Sequence, residues 1–173
     1  MRLFIGIDIP NKLREKIAEM QKELKNVKIV EKGNLHITLK FLGNVDDVER
    51  VINKLKEIDF QRFSINLRRV GTFPNENYIK VVWIGCNSPE LVQLVRIVDQ
   101  RMSEIGFPKE GRYVPHLTIA RVKRKPTEDL RKFLKKYNSV DLGSFVVSKI
   151  KLKKSTLTPR GPIYEDIFSK SLQ

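Results

Sequence analysis

Between residues 35 and 42 the chain alternates strictly: Leu35, Ile37, Leu39 and Phe41 are apolar, while His36, Thr38 and Lys40 are polar. A period of two belongs to a strand with one face in a core. It predicts that His36, Thr38 and Lys40 project together from the open face and that Phe41 goes into the interior. Residues 116–122 repeat the arrangement, with His116 and Thr118 on one face and Leu117 and Ile119 on the other. By the same parity Arg121 falls on the face opposite His116, out of reach of it unless a twist or bulge intervenes.

The rest of the pattern predicts an alternation of strands and helices. Residues 2–9 are a β-branched apolar run closed by Pro10, a strand signal. Leu13, Ile17, Met20 and Leu24 form one helical stripe over residues 11–24. A short strand at 27–30 and a turn at 31–34 lead into the first alternating stretch, which Gly43-Asn44 ends. Residues 46–58 read as a helix with Asp46, Asp47 and Glu49 in its first turn, where negative charge suits the dipole. Phe63, Ile65 and Leu67 mark a strand, and residues 71–77 a loop of turn formers. Residues 78–84 are nearly all apolar and predict a strand buried on both faces. Ser88 and Pro89 are an N-cap and first-turn proline for a helix to about Ile105, ended by Gly106. A basic loop at 107–114 carries Lys109, Arg112 and Tyr113. After the second alternating stretch come a helix at 127–137, a strand at 145–152, a connecting loop at 153–162 and a strand at 163–168.

The element order repeats: strand, helix, His-x-Thr strand, helix, strand. This predicts an α+β fold of two pseudo-symmetric lobes, each an antiparallel sheet backed by helices, facing each other across a central cleft. The lobes correspond to about 1–77 and 78–173 of a single bilobal domain, with strand exchange between them allowed.

Length and charge narrow the function. With 173 residues, 40% of them hydrophobic, the chain can bury a core. No apolar run approaches the ~18 residues a membrane span needs. Residues 1–10 lack the features of a signal peptide, so a soluble cytoplasmic protein is expected. The one cysteine, Cys86, excludes an internal disulfide and reads as a small packed residue. Thirty-four Lys and Arg against 20 Asp and Glu give a net charge of +14. That excess favours polyanions, nucleic acid above all. The richness in Lys, Glu, Ile and Val also suits a thermophile surface, so charge supports the argument without carrying it.

The chemistry is carried by the histidines. There are only two, each followed two residues later by threonine, a residue present six times in the chain; chance gives that coincidence roughly once in a thousand. Histidine titrates near neutral pH. Two imidazoles across a cleft can act as base and acid in an in-line displacement at phosphorus. A threonine hydroxyl one pleat along can hold a non-bridging oxygen. Lys40, Arg112 and Arg121 are candidate substrate-binding cations. A zinc or iron site is poorly supported, because no set of Asp, Glu or Cys stands at ligand spacing.

With both motifs in place, the sequence resembles the two-histidine (2H) phosphoesterase superfamily and, within it, the RNA 2′,3′-cyclic phosphodiesterases, also called 2′-5′ RNA ligases. The resemblance rests on residues 2–7, 34–43 (NLHITLKFLG), 82–85 (VWIG) and 115–121 (PHLTIAR), with 155–157 and 161–164 near the end. It spans the chain. It implies a positively charged cleft and hydrolysis of an RNA-terminal 2′,3′-cyclic phosphate to a 2′-phosphate, with no metal or nucleotide cofactor. It implies His36 as proton donor to the departing 3′-oxygen, His116 as proton acceptor from water, and Thr38 and Thr118 as phosphate-binding residues. Tyr113 is a candidate for stacking on the terminal base. The partners expected are RNA ends bearing the cyclic phosphate, tRNA fragments among them, acted on by a monomer away from membranes. Two other readings stay open: ATP-independent 2′-5′ ligation as the main activity, and RNA binding without catalysis.

Overall fold

The computed structural model describes residues 1–173. Two antiparallel sheets form the molecule. One has four strands in the order β3 (His36–Asn44), β1 (Arg2–Asp8), β8 (Lys149–Thr158), β9 (Gly161–Ser171). The other has five, in the order β2 (Lys28–Ile29), β6 (His116–Arg121), β5 (Ile79–Asn87), β4 (Phe63–Pro74), β7 (Asp141–Val147). Strands cross the midpoint of the chain: β8 and β9 join β1 and β3, while β4 joins β5 and β6.

Four helices back the sheets. α1 (Asn11–Gln21) packs against β7 and α4 (Glu128–Tyr137) against β4, on the five-stranded sheet. α2 (Val48–Lys56) packs against β9 and α3 (Pro89–Ser103) against β3, on the four-stranded one. The cap at Ser88 is the one the sequence announces; Asp47 and Thr127, read there as helix residues, are caps as well. Ser88 Oγ accepts from Leu91 N–H, Thr127 Oγ1 from Leu130 N–H and Asp47 from Arg50 N–H, each satisfying a donor that the first helical turn leaves free. One cluster of 41 buried residues draws on both sheets, so the two sheets share a core.

The strands are longer than hydropathy predicts. Of the loop expected at 71–77, residues 71–74 belong to β4. Gly43-Asn44 continues β3, with Gly43 at φ +72°. Residues 153–158 and 161–162 extend β8 and β9 into a long hairpin turning at Pro159-Arg160. Its polar residues pair across the strands, Lys153 opposite Asp166 and Lys154 opposite Glu165; cross-strand ion pairs hold together a ribbon that is not apolar. The strand expected at 145–152 is two strands, parted at Ser148, which pass into different sheets. β5 is not buried on both faces: Val82, Ile84 and Cys86 are buried, but Val81, Trp83 and Gly85 lie half-open on the other side.

Candidate active site

β3 and β6 pass each other with Cα atoms within 8 Å, and both border a cleft of about 750 Å³. His36 and Thr38 from β3 and His116 and Thr118 from β6 line it. The alternation thus brings the two His-x-Thr units together.

Beyond the threonines the alternation breaks, at the same place in both strands. In β3, Lys40 pairs with Ile5 and Thr38 with Gly6, leaving Leu39 as an extra residue. In β6, Ala120 pairs with Val82 and Thr118 with Trp83, leaving Ile119 extra. Each bulge comes three residues after its histidine and shifts side-chain parity by one. Lys40 and Ala120 therefore turn inward, while Phe41 and Arg121 turn to the cleft, which both line. Phe41 is 61% exposed and not a core residue. Arg121 reaches the face that strand parity denies it.

Lys40 is the opposite correction. It is 3% exposed. Its ammonium lies 2.6 Å from Asp99 Oδ1 and donates to Pro108 O at 2.8 Å. Lys40 borders the cleft, but its charge is neutralised in a buried joint between β3, α3 and the following loop. Tyr113 acts in a related way: its hydroxyl donates to Thr38 O at 3.1 Å, tying the loop to β3. Burial pushes that phenol above its ordinary range. Its ring still lines the cleft, as does the exposed Arg112.

The imidazoles are anchored alike. His36 Nδ1 lies 2.7 Å from Asn34 O, and His116 Nδ1 lies 2.7 Å from Val114 O. A carbonyl only accepts, so in each ring Nδ1 carries the proton and Nε2 is left for chemistry. His36 Nε2 accepts from the Thr38 hydroxyl at 2.9 Å. Asn34 is itself fixed, its side-chain amide donating to Pro162 O at 3.0 Å.

Their surroundings differ. His36 packs against both Phe4 and Tyr164, with centroids at 4.8 and 5.1 Å, and those two rings meet each other at 5.0 Å. Burial lowers its proton affinity below the ordinary histidine value; the Asn34 carbonyl opposes this, Lys153 adds to it, Asp8 opposes and Arg14 adds. His116 meets the ring of Phe73 edge-on at 4.9 Å. It too is lowered, first by burial, against the Val114 carbonyl and with Arg121.

Behind His36, whose Cα partner on β1 is Asp8, sits a square of charges. Lys151 and Lys153 each bridge Asp8 and Asp166 at 2.7–2.9 Å. Burial works against the Asp8 carboxylate, but hydrogen bonds from the two lysines outweigh it and hold its pKa down. No three His, Cys, Asp or Glu side chains are gathered so as to hold a metal ion. Residues that sequence reasoning missed in the cleft include Phe73, Arg160 and Lys123. Phe73 was hidden in a stretch rich in turn formers, and Arg160 and Lys123 carried no pattern.

Known proteins share this arrangement of chain. The family model described as LigT like Phosphoesterase matches twice, over residues 7–83 and 84–164. An RNA 2′,3′-cyclic phosphodiesterase of Methanocaldococcus jannaschii is 50% identical, covering 96% of this chain and 98% of its own. A crystal structure from Thermus thermophilus matches with a TM-score of 0.85 at 26% identity, over 99% of this chain and 97% of that one. Escherichia coli LigT complexed with 3′-AMP matches with a TM-score of 0.82 at 25% identity, over 99% and 97%.

Proposed function

The chain belongs to the LigT-like phosphoesterase family, and from that membership and the two-histidine cleft we propose that it hydrolyses RNA-terminal 2′,3′-cyclic phosphate to a 2′-phosphate. The reading rests on one observation above the rest: two strands with the same bulge present two Nδ1-anchored imidazoles and two threonines to one cleft.

Water attacks phosphorus in line with the 3′-oxygen, and His116 Nε2 takes its proton. The P–O3′ bond breaks, and His36, protonated at Nε2, gives its proton to O3′. The products are a 2′-phosphate and a 3′-hydroxyl. The Thr38 and Thr118 hydroxyls donate to the non-bridging oxygens as charge gathers on them. In the free site the Thr38 hydroxyl is bonded to His36 Nε2. When phosphate takes that hydroxyl, Nε2 is released to bind a proton, which the anion beside it favours. At His36 the Asn34 carbonyl favours the protonated ring most and Asp8 adds to it, against burial, Lys153 and Arg14; at His116 burial and then Arg121 favour a neutral ring, which suits a base. Arg112 and Arg121 supply positive charge along the wall.

Both motifs come from one chain, so a monomer holds a complete site. The double match of the family model supports two related halves at about 1–77 and 78–173. No helix is long and apolar enough to cross a membrane, and the free, buried Cys86 fits a cytoplasmic enzyme acting on RNA ends, tRNA fragments among them.

The test is to incubate the protein with EDTA and an oligoribonucleotide ending in 2′,3′-cyclic phosphate. A 2′-phosphate product supports the reading. A 3′-phosphate product, or no turnover, overturns it. Adding an RNA with a 5′-hydroxyl end separates hydrolysis from 2′-5′ ligation by product.

A further inference from the structure

A second hollow, of about 410 Å³, opens on the five-stranded sheet beside the cleft, and is lined by Arg68, Arg69, Trp83, Gly85, Asn87 and Pro115 among others. Its position follows from strand register. Gly85 pairs with His116 on one side and with Arg68 on the other. His116, Gly85 and Arg68 thus form one row across three strands, with side chains on the same face. At ~4.8 Å per strand, Arg68 stands about 10 Å from His116, Cα to Cα. Between them Gly85 presents no side chain; a Cβ there would come 2.7 Å from Arg68 O. The row runs from His116 across Gly85 to Arg68 and on to Asp141, the partner of Arg68 on β7, and the hollow lies over its Gly85–Arg68 part.

One flank of the hollow is aromatic. Trp83 lies over Gly71, its partner on β4, so closely that a Cβ at Gly71 would come 2.2 Å from the indole. The indole therefore lies flat on the sheet. It packs against Phe73 at 5.4 Å, and Phe73 packs against His116. The far end is doubly cationic because β4 bulges between Arg68 and Val70. Arg69 takes φ +70° there, an unfavourable conformation for a side chain with a Cβ, and both arginines are exposed. Neither lies within 4.0 Å of a carboxylate, whereas Lys40, Lys151 and Lys153 are all paired. Unpaired guanidinium groups beside a flat indole are the elements of a single-strand nucleic-acid track, one binding phosphate and the other stacking a base.

We propose that this hollow is a second RNA subsite. Arg68 and Arg69 bind the phosphate on the 5′ side of the terminal nucleotide, and Trp83 stacks on the penultimate base. The inference rests on the cyclic phosphate lying at His36 and His116. It makes the enzyme one for polynucleotide ends over cyclic mononucleotides.

Two readouts test it on the full chain. In the first, kcat/KM is measured for a tetranucleotide ending in 2′,3′-cyclic phosphate and for a nucleoside 2′,3′-cyclic phosphate. The ratio of the two falls about tenfold in R68A and in R69G, the glycine keeping the left-handed backbone at that bulge. In the second, binding of 3′-phosphorylated oligoribonucleotides is followed by fluorescence anisotropy against salt. The slope of log Kd on log salt becomes shallower by roughly 0.7 for each phosphate that is no longer neutralised. K132A, an exposed charge on α4, is the control for net charge. An unchanged ratio with an unchanged slope overturns the subsite, as does an equal shift in K132A. If the wild type turns over neither substrate but the slope shifts only in R68A and R69G, the subsite stands and the proposed hydrolysis falls.

Discussion

Phe41 and Arg121 hold equivalent places on β3 and β6: each stands five residues after a motif histidine, and each is turned into the cleft by a bulge at the third. The repeat thus extends past the His-x-Thr units to the next cleft residue on each strand. It also makes the two sides chemically unlike, aromatic by His36 and cationic by His116.

Burial first, and the Arg121 charge with it, lower the proton affinity of His116. Removing the cation in R121A should raise the His116 pKa toward the ordinary histidine value. The imidazole resonance that belongs to His116, followed by NMR titration, should move to higher pH, with that of His36 nearly unmoved. KM for RNA should rise by about one to two orders of magnitude, through loss of a charge-assisted hydrogen bond worth ~1.5–3 kcal/mol.

Both histidines bind protons less tightly than an ordinary histidine. In the free enzyme the acid therefore loses its proton below pH 6.5, and kcat/KM should fall as pH rises through neutrality, with its optimum on the acid side of 6.5. Bound phosphate favours the imidazolium, so the optimum of kcat should lie at higher pH than that of kcat/KM. Coincident profiles with an optimum above pH 7.5 would count against this environment for the rings.

Lys40 tests the correction to its role. K40M removes the ammonium from Asp99, which is 16% exposed at its side chain, and leaves the carboxylate with only the Glu110 N–H as donor. Breaking a buried pair costs ~3–5 kcal/mol, and the partial exposure of Asp99 puts the loss near the lower end. Urea denaturation should show it. K40M/D99L should recover much of it, and folded K40M should turn over RNA within a few-fold of wild type. A large rise in KM with unchanged stability would return Lys40 to a substrate-binding role.

Much of this was legible in the chain. The helices, the Ser88 cap and the two histidine faces follow from period and cap chemistry alone. The bulges do not, because Leu39 and Ile119 are apolar residues buried among apolar neighbours, and hydropathy looks the same whichever way the next side chain points. Hence Phe41 read as core, and Lys40 as a cleft cation although it is a buried strut. The β8–β9 hairpin escaped for another reason: Lys153 and Lys154 look like loop until they are paired with Asp166 and Glu165 of the next strand. The change of sheet at Ser148 has neither glycine nor proline to mark it.

Tyr113 offers a milder perturbation of the same site. Y113F loses the hydrogen bond to Thr38 O, a net ~1 kcal/mol. The Thr38 end of β3 loses a tie to the opposite loop. Stability should drop by about that amount in urea, and kcat by a few-fold, with the ring still in place.

The division of labour between His36 and His116 is the centre of the account, and leaving-group chemistry tests it most directly. A thiolate needs no proton to depart, so the measurement is single-turnover cleavage of an RNA-terminal cyclic phosphate in which sulfur replaces the bridging 3′-oxygen. On the oxygen substrate H36A and H116A should each lose ~10³-fold or more. On the sulfur substrate H36A should recover most of its rate and H116A should not. Recovery by H116A alone, or near-normal rates for both variants on the oxygen substrate, would contradict it.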